Sequence, residues 1–375
     1  MNFDQSDNEL SIREGIRSVL KDDAEGRLSG AASLDPAACR AMILNYSKML
    51  KPSGYLELGV KSGRNSTTLA AAREETARFS PGIYLSLEVS TRIFGRILAR
   101  LSGNLECSRI LESLMAGESL GTVALSESTT SYDQNPPSTT AVQSGSEFLI
   151  TGSKEWVAHA SFADWIACLA DMGGKAGIFI VSANDKGLEI GKRHDTMAFG
   201  ETPFYPVSFR DCEVPAERVL FQQGEHSISD TLKLWEDQIL TALALGIMQR
   251  SYNEALAFAK THSSAGKPII AHQEVGFKLA EMLTLLQTAQ LLAYRAAWMD
   301  ETDQREAEIV ARCAKVFSSE ASEKIAAEAL QILGARGFFQ ECASAEDFKV
   351  SKYLQVSGTS SERSRVRIGD GVLRQ

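Results

Sequence analysis

The 375-residue chain is 44% hydrophobic and 23% charged, which supplies enough apolar material for two or three domains and is ordinary for a globular protein. Its formal net charge of −9 gives no global attraction to nucleic acid or anionic lipid. The acidic opening Met1-Asn2-Phe3-Asp4 lacks the marks of a secretory or transit peptide, and no apolar run reaches the ~18 residues of a membrane span. A soluble cytoplasmic protein that binds neither nucleic acid nor membrane is therefore expected.

The first third reads as helical. Ile12, Ile16, Val19 and Leu20 fall on one face of a first helix. Ala37 to Leu50 reads as a second helix closed by Lys51-Pro52-Ser53-Gly54, Tyr84 to Leu101 as a third, and Asn104 to Met115 as a fourth. From about Leu120 the runs shorten and favour strands: Glu147 to Thr151, Trp165 to Ala170, Gly177 to Val181 and Val207 to Val214. Turn signals such as Gly173-Gly174 and Asn184-Asp185-Lys186-Gly187 separate them, which suggests a small sandwich or barrel. Helices return after about Ser229. Val275, Leu279, Met282, Leu286, Ala289 and Ala293 keep helical spacing, and Glu306 to Leu333 forms a long Ala-rich helix ended by Gly334. The expected fold class is α+β, with an N-terminal helical domain (1–118), a middle β domain (119–222) and a C-terminal helical bundle (223–375). The six Cys residues form no CxxC pair and no Cys/His cluster has zinc spacing, so no metal is expected and the thiols read as reduced and mostly buried.

Five ordered strings give the chain a family resemblance. They are Leu120-Gly121-Thr122-Val123-Ala124-Leu125-Ser126-Glu127, Ile150-Thr151-Gly152-Ser153-Lys154-Glu155-Trp156, Phe209 through Leu220, Ala329 through Phe338, and Val356-Ser357-Gly358-Thr359-Ser360. Together they resemble the acyl-CoA dehydrogenase family in order and approximate spacing over nearly the whole chain.

The resemblance implies FAD as cofactor and the α,β-dehydrogenation of an acyl thioester, carried by CoA or by an acyl carrier protein. It places Leu125, Ser126, Trp156, Val157 and Ala158 beside the flavin, and Thr359 near the phosphates. It gives His262, Gln331 and Gly334 to a FAD contact made by a neighbouring subunit, so a homodimer or homotetramer is expected. Electron-transfer flavoprotein or oxygen would accept the electrons. Most members of the family place the catalytic Glu immediately before the Gly-Thr of the C-terminal string, where this chain has Ser357. Some carry it on the first long helix of the C-terminal domain, ten residues before a Gly. Counting back from Gly246 gives Glu236. Two readings of Glu236 stand: α-proton base, or an acid in the first turn of a helix that favours the helix dipole. Tyr132, Asp237 and Ser357 are the positions expected to meet substrate. Departures from the family pattern are Ala158 for a flavin-contacting Thr, His262 for a phosphate-clamping Arg, and a Glu127-to-Asp133 loop without its glycines. They keep open a flavin oxidase or monooxygenase on the same fold, and a divergent non-catalytic binding protein.

Overall fold

The computed structural model describes residues 6–21, 35–61, 65–101, 103–128, 136–221, 227–304, 306–339 and 341–373. Contacts group the chain into two compact units: one of Met1–Ser29, Arg64–Tyr84 and Glu236–Gln375, the other of Gly30–Gly63 and Leu85–Trp235.

The second unit holds a mixed sheet. Its strands are β1 (Gly121–Ala124), β2 (Thr140–Ser144), β3 (Glu147–Ala158), β4 (Trp165–Asp171), β5 (Ala176–Ser182), β6 (Leu188–Ile190), β7 (Phe204–Pro215) and β8 (Val219–Phe221). Their order is β6-β7-β3-β2-β4-β5-β8, with β1 parallel to β4. All four stretches expected to be strands lie inside β3, β4, β5 and β7. Alternation along the long antiparallel pair of β3 and β7 turns Phe148, Ile150, Val207, Phe209 and Val214 into one buried cluster with Phe179 and Val181 of β5. The β3–β7 register shifts between Lys154 and Val157, so an extra residue bulges out of β3 at Glu155–Trp156.

Helices α1 (Asp7–Lys21), α2 (Pro36–Leu50), α3 (Ser66–Phe79), α4 (Pro81–Glu88), α5 (Gly95–Arg100) and α6 (Leu105–Met115) precede the sheet. Asp35 caps α2 by accepting the Ala38 N–H at 2.7 Å, and Asn104 caps α6 by accepting from Glu106 and Cys107. A π-helical stretch, Val89–Phe94, joins α4 to α5, so the expected third helix is real but interrupted. Helix α3 is absent from the sequence reading. Its Arg73, Glu74 and Glu75 are buried, which erases the apolar stripe that periodicity detects. Arg13 explains part of this burial: its guanidinium on α1 meets Glu74 at 2.6 Å and Glu75 at 2.7 Å.

The helices of the first unit that follow are α7 (Ile228–Thr261, belonging to this unit from Glu236), α8 (Gln273–Glu301), α9 (Ala307–Leu333), α10 (Ala343–Val356) and α11 (Ser361–Leu373). A two-stranded hairpin, β9 (Ser263–Ser264) and β10 (Lys267–Pro268), lies between α7 and α8. Helix α9 packs against α8, α10 and α11. Leu279, Met282, Leu286, Ala289 and Ala293 of α8 are buried, as their spacing requires. Gly246 lets α7 approach α3 closely, since a Cβ there would lie 2.5 Å from the Ala77 Cβ. All six Cys are free thiols, five of them buried. Among the described residues, no helix is long and apolar enough to cross a membrane and no metal-binding cluster occurs.

Candidate active site

In the second unit the loop after β1 is fastened to β3 by a buried ion pair. Lys154 Nζ donates to Glu127 Oε1 at 2.9 Å and to the Leu125 carbonyl at 3.2 Å. Glu127 also accepts from the N–H and hydroxyl groups of Ser138 and Thr139 at 2.6–2.9 Å. Burial opposes ionisation of Glu127, but these donors outweigh it and hold the carboxyl well below the usual range. The Glu155 N–H donates to the Ser126 carbonyl at 2.9 Å, which completes the attachment. Leu125, Ser126 and the Glu155–Trp156 bulge are thereby held together.

Trp156 is 53% exposed, large and apolar, at a bulge whose geometry is fixed on both sides. Val157 points its side chain into the core cluster, which leaves its backbone for the expected flavin contact. Ala158 is buried, and its carbonyl accepts from Thr122 Oγ1 at 2.7 Å. The next residue, His159, was not singled out by sequence. Its Nε2 lies 3.0 Å from the Gly121 carbonyl, which can only accept, so Nε2 carries the hydrogen. Nδ1 then accepts from Ser86 Oγ at 3.2 Å. Burial lowers the imidazole from 6.5 to about 4, against a smaller opposite effect of the Gly121 carbonyl. The folded state thus keeps His159 neutral where the unfolded chain takes up a proton. Stability is full above pH 6.5 and falls as pH drops toward 4, by about 3 kcal/mol in all. Denaturation midpoints from pH 7 to 4 should show this slope, and His159→Asn should flatten it.

In the first unit, Glu236 lies within α7, which begins at Ile228; Asp230 is the acid of the first turn. The helix-start reading of Glu236 therefore fails, because its N–H groups are two turns away. Half-buried Glu236 faces the turn Ser357-Gly358-Thr359: a Cβ on Gly358 would sit 3.6 Å from Glu236 Cγ. Thus the residue that occupies the usual Glu position and the alternative Glu are neighbours in space. Tyr353 completes the cluster. Burial first, then the nearby Glu236 charge, push its phenol up, while a hydrogen bond with Ser357 opposes them.

Asp237 points elsewhere. It is fully buried, and its Oδ1 accepts the Thr359 N–H at 2.8 Å. Its Oδ2 lies 3.5 Å from Arg312 Nη1. Lys315 Nζ donates to the Thr359 carbonyl. The carboxylate expected to meet substrate is fully buried and clamps the turn. Burial pushes the Asp237 carboxyl up, against the Thr359 N–H and the Lys315 charge. Gly358 has φ +63°, and an added Cβ would lie 2.7 Å from Asp237 Oδ1 and 2.8 Å from Leu240 Cδ1. Gly358→Ala should cost about 1–3 kcal/mol in chemical denaturation, since neither the backbone nor the clamp has room for it.

His262, Gln331 and Gly334 are exposed, at the ends of α7 and α9. His262 stacks on Phe258 of its own unit, with centroids 4.6 Å apart. Gly334 caps α9 with φ 58°. Tyr132 lies outside the described residues.

Residues 122–212 match the family model for the acyl-CoA dehydrogenase middle domain, and residues 233–373 match that for the acyl-CoA dehydrogenase C-terminal domain. The chain belongs to the acyl-CoA dehydrogenase family. Family members similar over nearly the whole length include the benzylmalonyl-CoA dehydrogenase of Aromatoleum aromaticum, 27% identical over 96% of this chain and 97% of that protein. A 3-(aryl)acrylate reductase of Clostridium sporogenes is 28% identical over 96% and 98%. Butyryl-CoA dehydrogenase from Megasphaera elsdenii shares this acyl-CoA dehydrogenase fold, with a TM-score of 0.89 at 22% identity and full coverage of both chains. The family's fold class is the one read from the sequence: helical segments flanking a middle sheet.

Proposed function

We propose that this member of the acyl-CoA dehydrogenase family oxidises an acyl thioester to its α,β-enoyl product, with FAD as cofactor and Glu236 as the base for the α-proton. The observation that carries the reading is the placement of Glu236 against Ser357-Gly358-Thr359. Beside that turn Glu236 is a second carboxylate, distinct from the Asp237 that clamps the Thr359 backbone.

The residues present suit a flavin. Trp156 offers an exposed aromatic face at a rigid bulge, and Leu125 and Ser126 end a short strand whose attachment to β3 is locked by Lys154 and Glu127. These residues would hold the ring system, whose role when bound is to accept hydride at N5. The work of the chain itself is done by the α7 carboxylate. Glu236 is half-buried, a setting in which a carboxylate is kept from full hydration and can accept a proton from carbon. Burial and the Glu236 charge keep the neighbouring Tyr353 phenol neutral, with Ser357 hydrogen-bonded to it. Asp237 and Lys315 fix the facing turn through both polar groups of the Thr359 backbone.

Acyl-CoA is the proposed substrate form and electron-transfer flavoprotein the proposed acceptor. The relatives named as benzylmalonyl-CoA dehydrogenase and 3-(aryl)acrylate reductase make aryl-substituted acyl groups a sensible part of the test panel. The purified protein, supplied with a dye acceptor and a panel of short, branched and aryl acyl-CoA esters, should convert at least one to a product lacking two hydrogens by mass spectrometry. Failure across the panel, with the flavin bound, would refute the assignment.

A further inference from the structure

The Glu155–Trp156 bulge has a partner far along the chain. After β6 the backbone continues beside β7, where the Gly191 N–H donates to the Pro206 carbonyl at 2.8 Å and the His194 N–H to the Phe204 carbonyl at 2.9 Å. This brings the His194 ring onto the Trp156 indole, with centroids 4.5 Å apart and planes inclined by 33°. The imidazole is itself tethered. Its Nε2 lies 2.9 Å from the Glu155 carbonyl oxygen and 3.3 Å from Glu155 Oε1. A carbonyl only accepts, so Nε2 is the protonated nitrogen. His194 therefore grips the backbone of one bulge residue and covers the side chain of the next.

We infer that His194 is a positioning residue that holds the Trp156 indole as a one-faced aromatic platform for the isoalloxazine. The inference rests on the proposed reading of Trp156 as the flavin's aromatic neighbour. A bulged residue lies outside the regular strand pairing, and a half-exposed indole there has several rotamers open to it. Packing against a tilted imidazole fixed to the adjacent residue restricts that freedom and covers part of one ring face, which leaves the other for a ligand. Sequence patterns hide the pair because 38 residues and three strands separate its members.

The test compares His194→Ala, His194→Phe, Trp156→Ala and the His194→Ala/Trp156→Ala double variant. FAD binding to the deflavinated full-length chain is followed by flavin fluorescence. His194→Ala should raise the FAD dissociation constant about five- to tenfold, and His194→Phe should restore most of the affinity by restoring an aromatic face. In the Trp156→Ala background, His194→Ala should add no further loss. Weak binding by Trp156→Ala with normal binding by His194→Ala would overturn the inference and leave the Trp156 reading intact. Normal binding by Trp156→Ala would overturn both. An equal loss from His194→Ala in both backgrounds would show that His194 acts by another route. Should His194→Ala misfold, His194→Asn replaces it, since Asn can still donate to the Glu155 carbonyl but offers no ring.

Discussion

Glu236→Gln is expected to bind FAD normally and to lose turnover by about 10²–10⁴-fold, the usual contribution of a positioned general base. The amide nearly matches the carboxylate in shape, so the clamp below it stays in place. That clamp is made by Asp237 and Lys315 on the Thr359 backbone, not by Glu236. The loss should fall on kcat and kcat/KM alike, because the interaction is needed only when the α-proton leaves. Exchange of the substrate α-proton with deuterated solvent provides a separate check: the parent should catalyse it and the variant should not. Tyr353→Phe, by contrast, removes a neutral neighbour and should retain most of the turnover.

The largest expected effect on stability comes from Lys154→Met. Its ammonium is buried and serves both the Glu127 carboxylate and the Leu125 carbonyl. Removing it strands Glu127 inside the sheet domain without its cation, at a cost of about 3–5 kcal/mol. Adding Glu127→Leu should recover part of this cost, since the uncompensated charge is then gone. The recovery should not extend to FAD affinity, because the same pair fastens the Leu125–Ser126 loop to β3. Urea denaturation and FAD titration of the two variants would separate these consequences. The depressed Glu127 carboxyl also adds stability above the ordinary carboxylate range, lost as pH falls toward its folded value.

Much of the fold was readable because most of its elements bury a simple stripe. Helix α8 follows its apolar spacing closely, and β3 and β7 alternate between their irregularities. Helix α3 was not readable, and the reason is physical. It is buried through charge pairs with Arg13 and its neighbours, so its sequence looks solvated when it is not. The same blindness applies to Lys154 and Glu127, whose residue types say surface while their partners say core.

The candidate site was legible where it is local and illegible where it is assembled. Leu125, Ser126 and Trp156 belong to two short strings and could be named from resemblance. That Glu236 meets Ser357-Gly358-Thr359 required α10 to return the chain to α7 across more than a hundred residues. The buried clamp made by Asp237 was not legible, because adjacent helix positions face about 100° apart and one acid can border a site while the next supports it from within. His159 and His194 gave no signal at all, since neither sits in a spacing pattern.

The visible spectrum of the purified protein, recorded anaerobically before and after addition of the acyl-CoA panel, tests the central claim most directly. The parent should show a bound flavin whose oxidised band bleaches with at least one thioester, and Glu236→Gln should show the same flavin with no bleaching. A parent without flavin, or a Glu236→Gln variant that bleaches as fast as the parent, would contradict it.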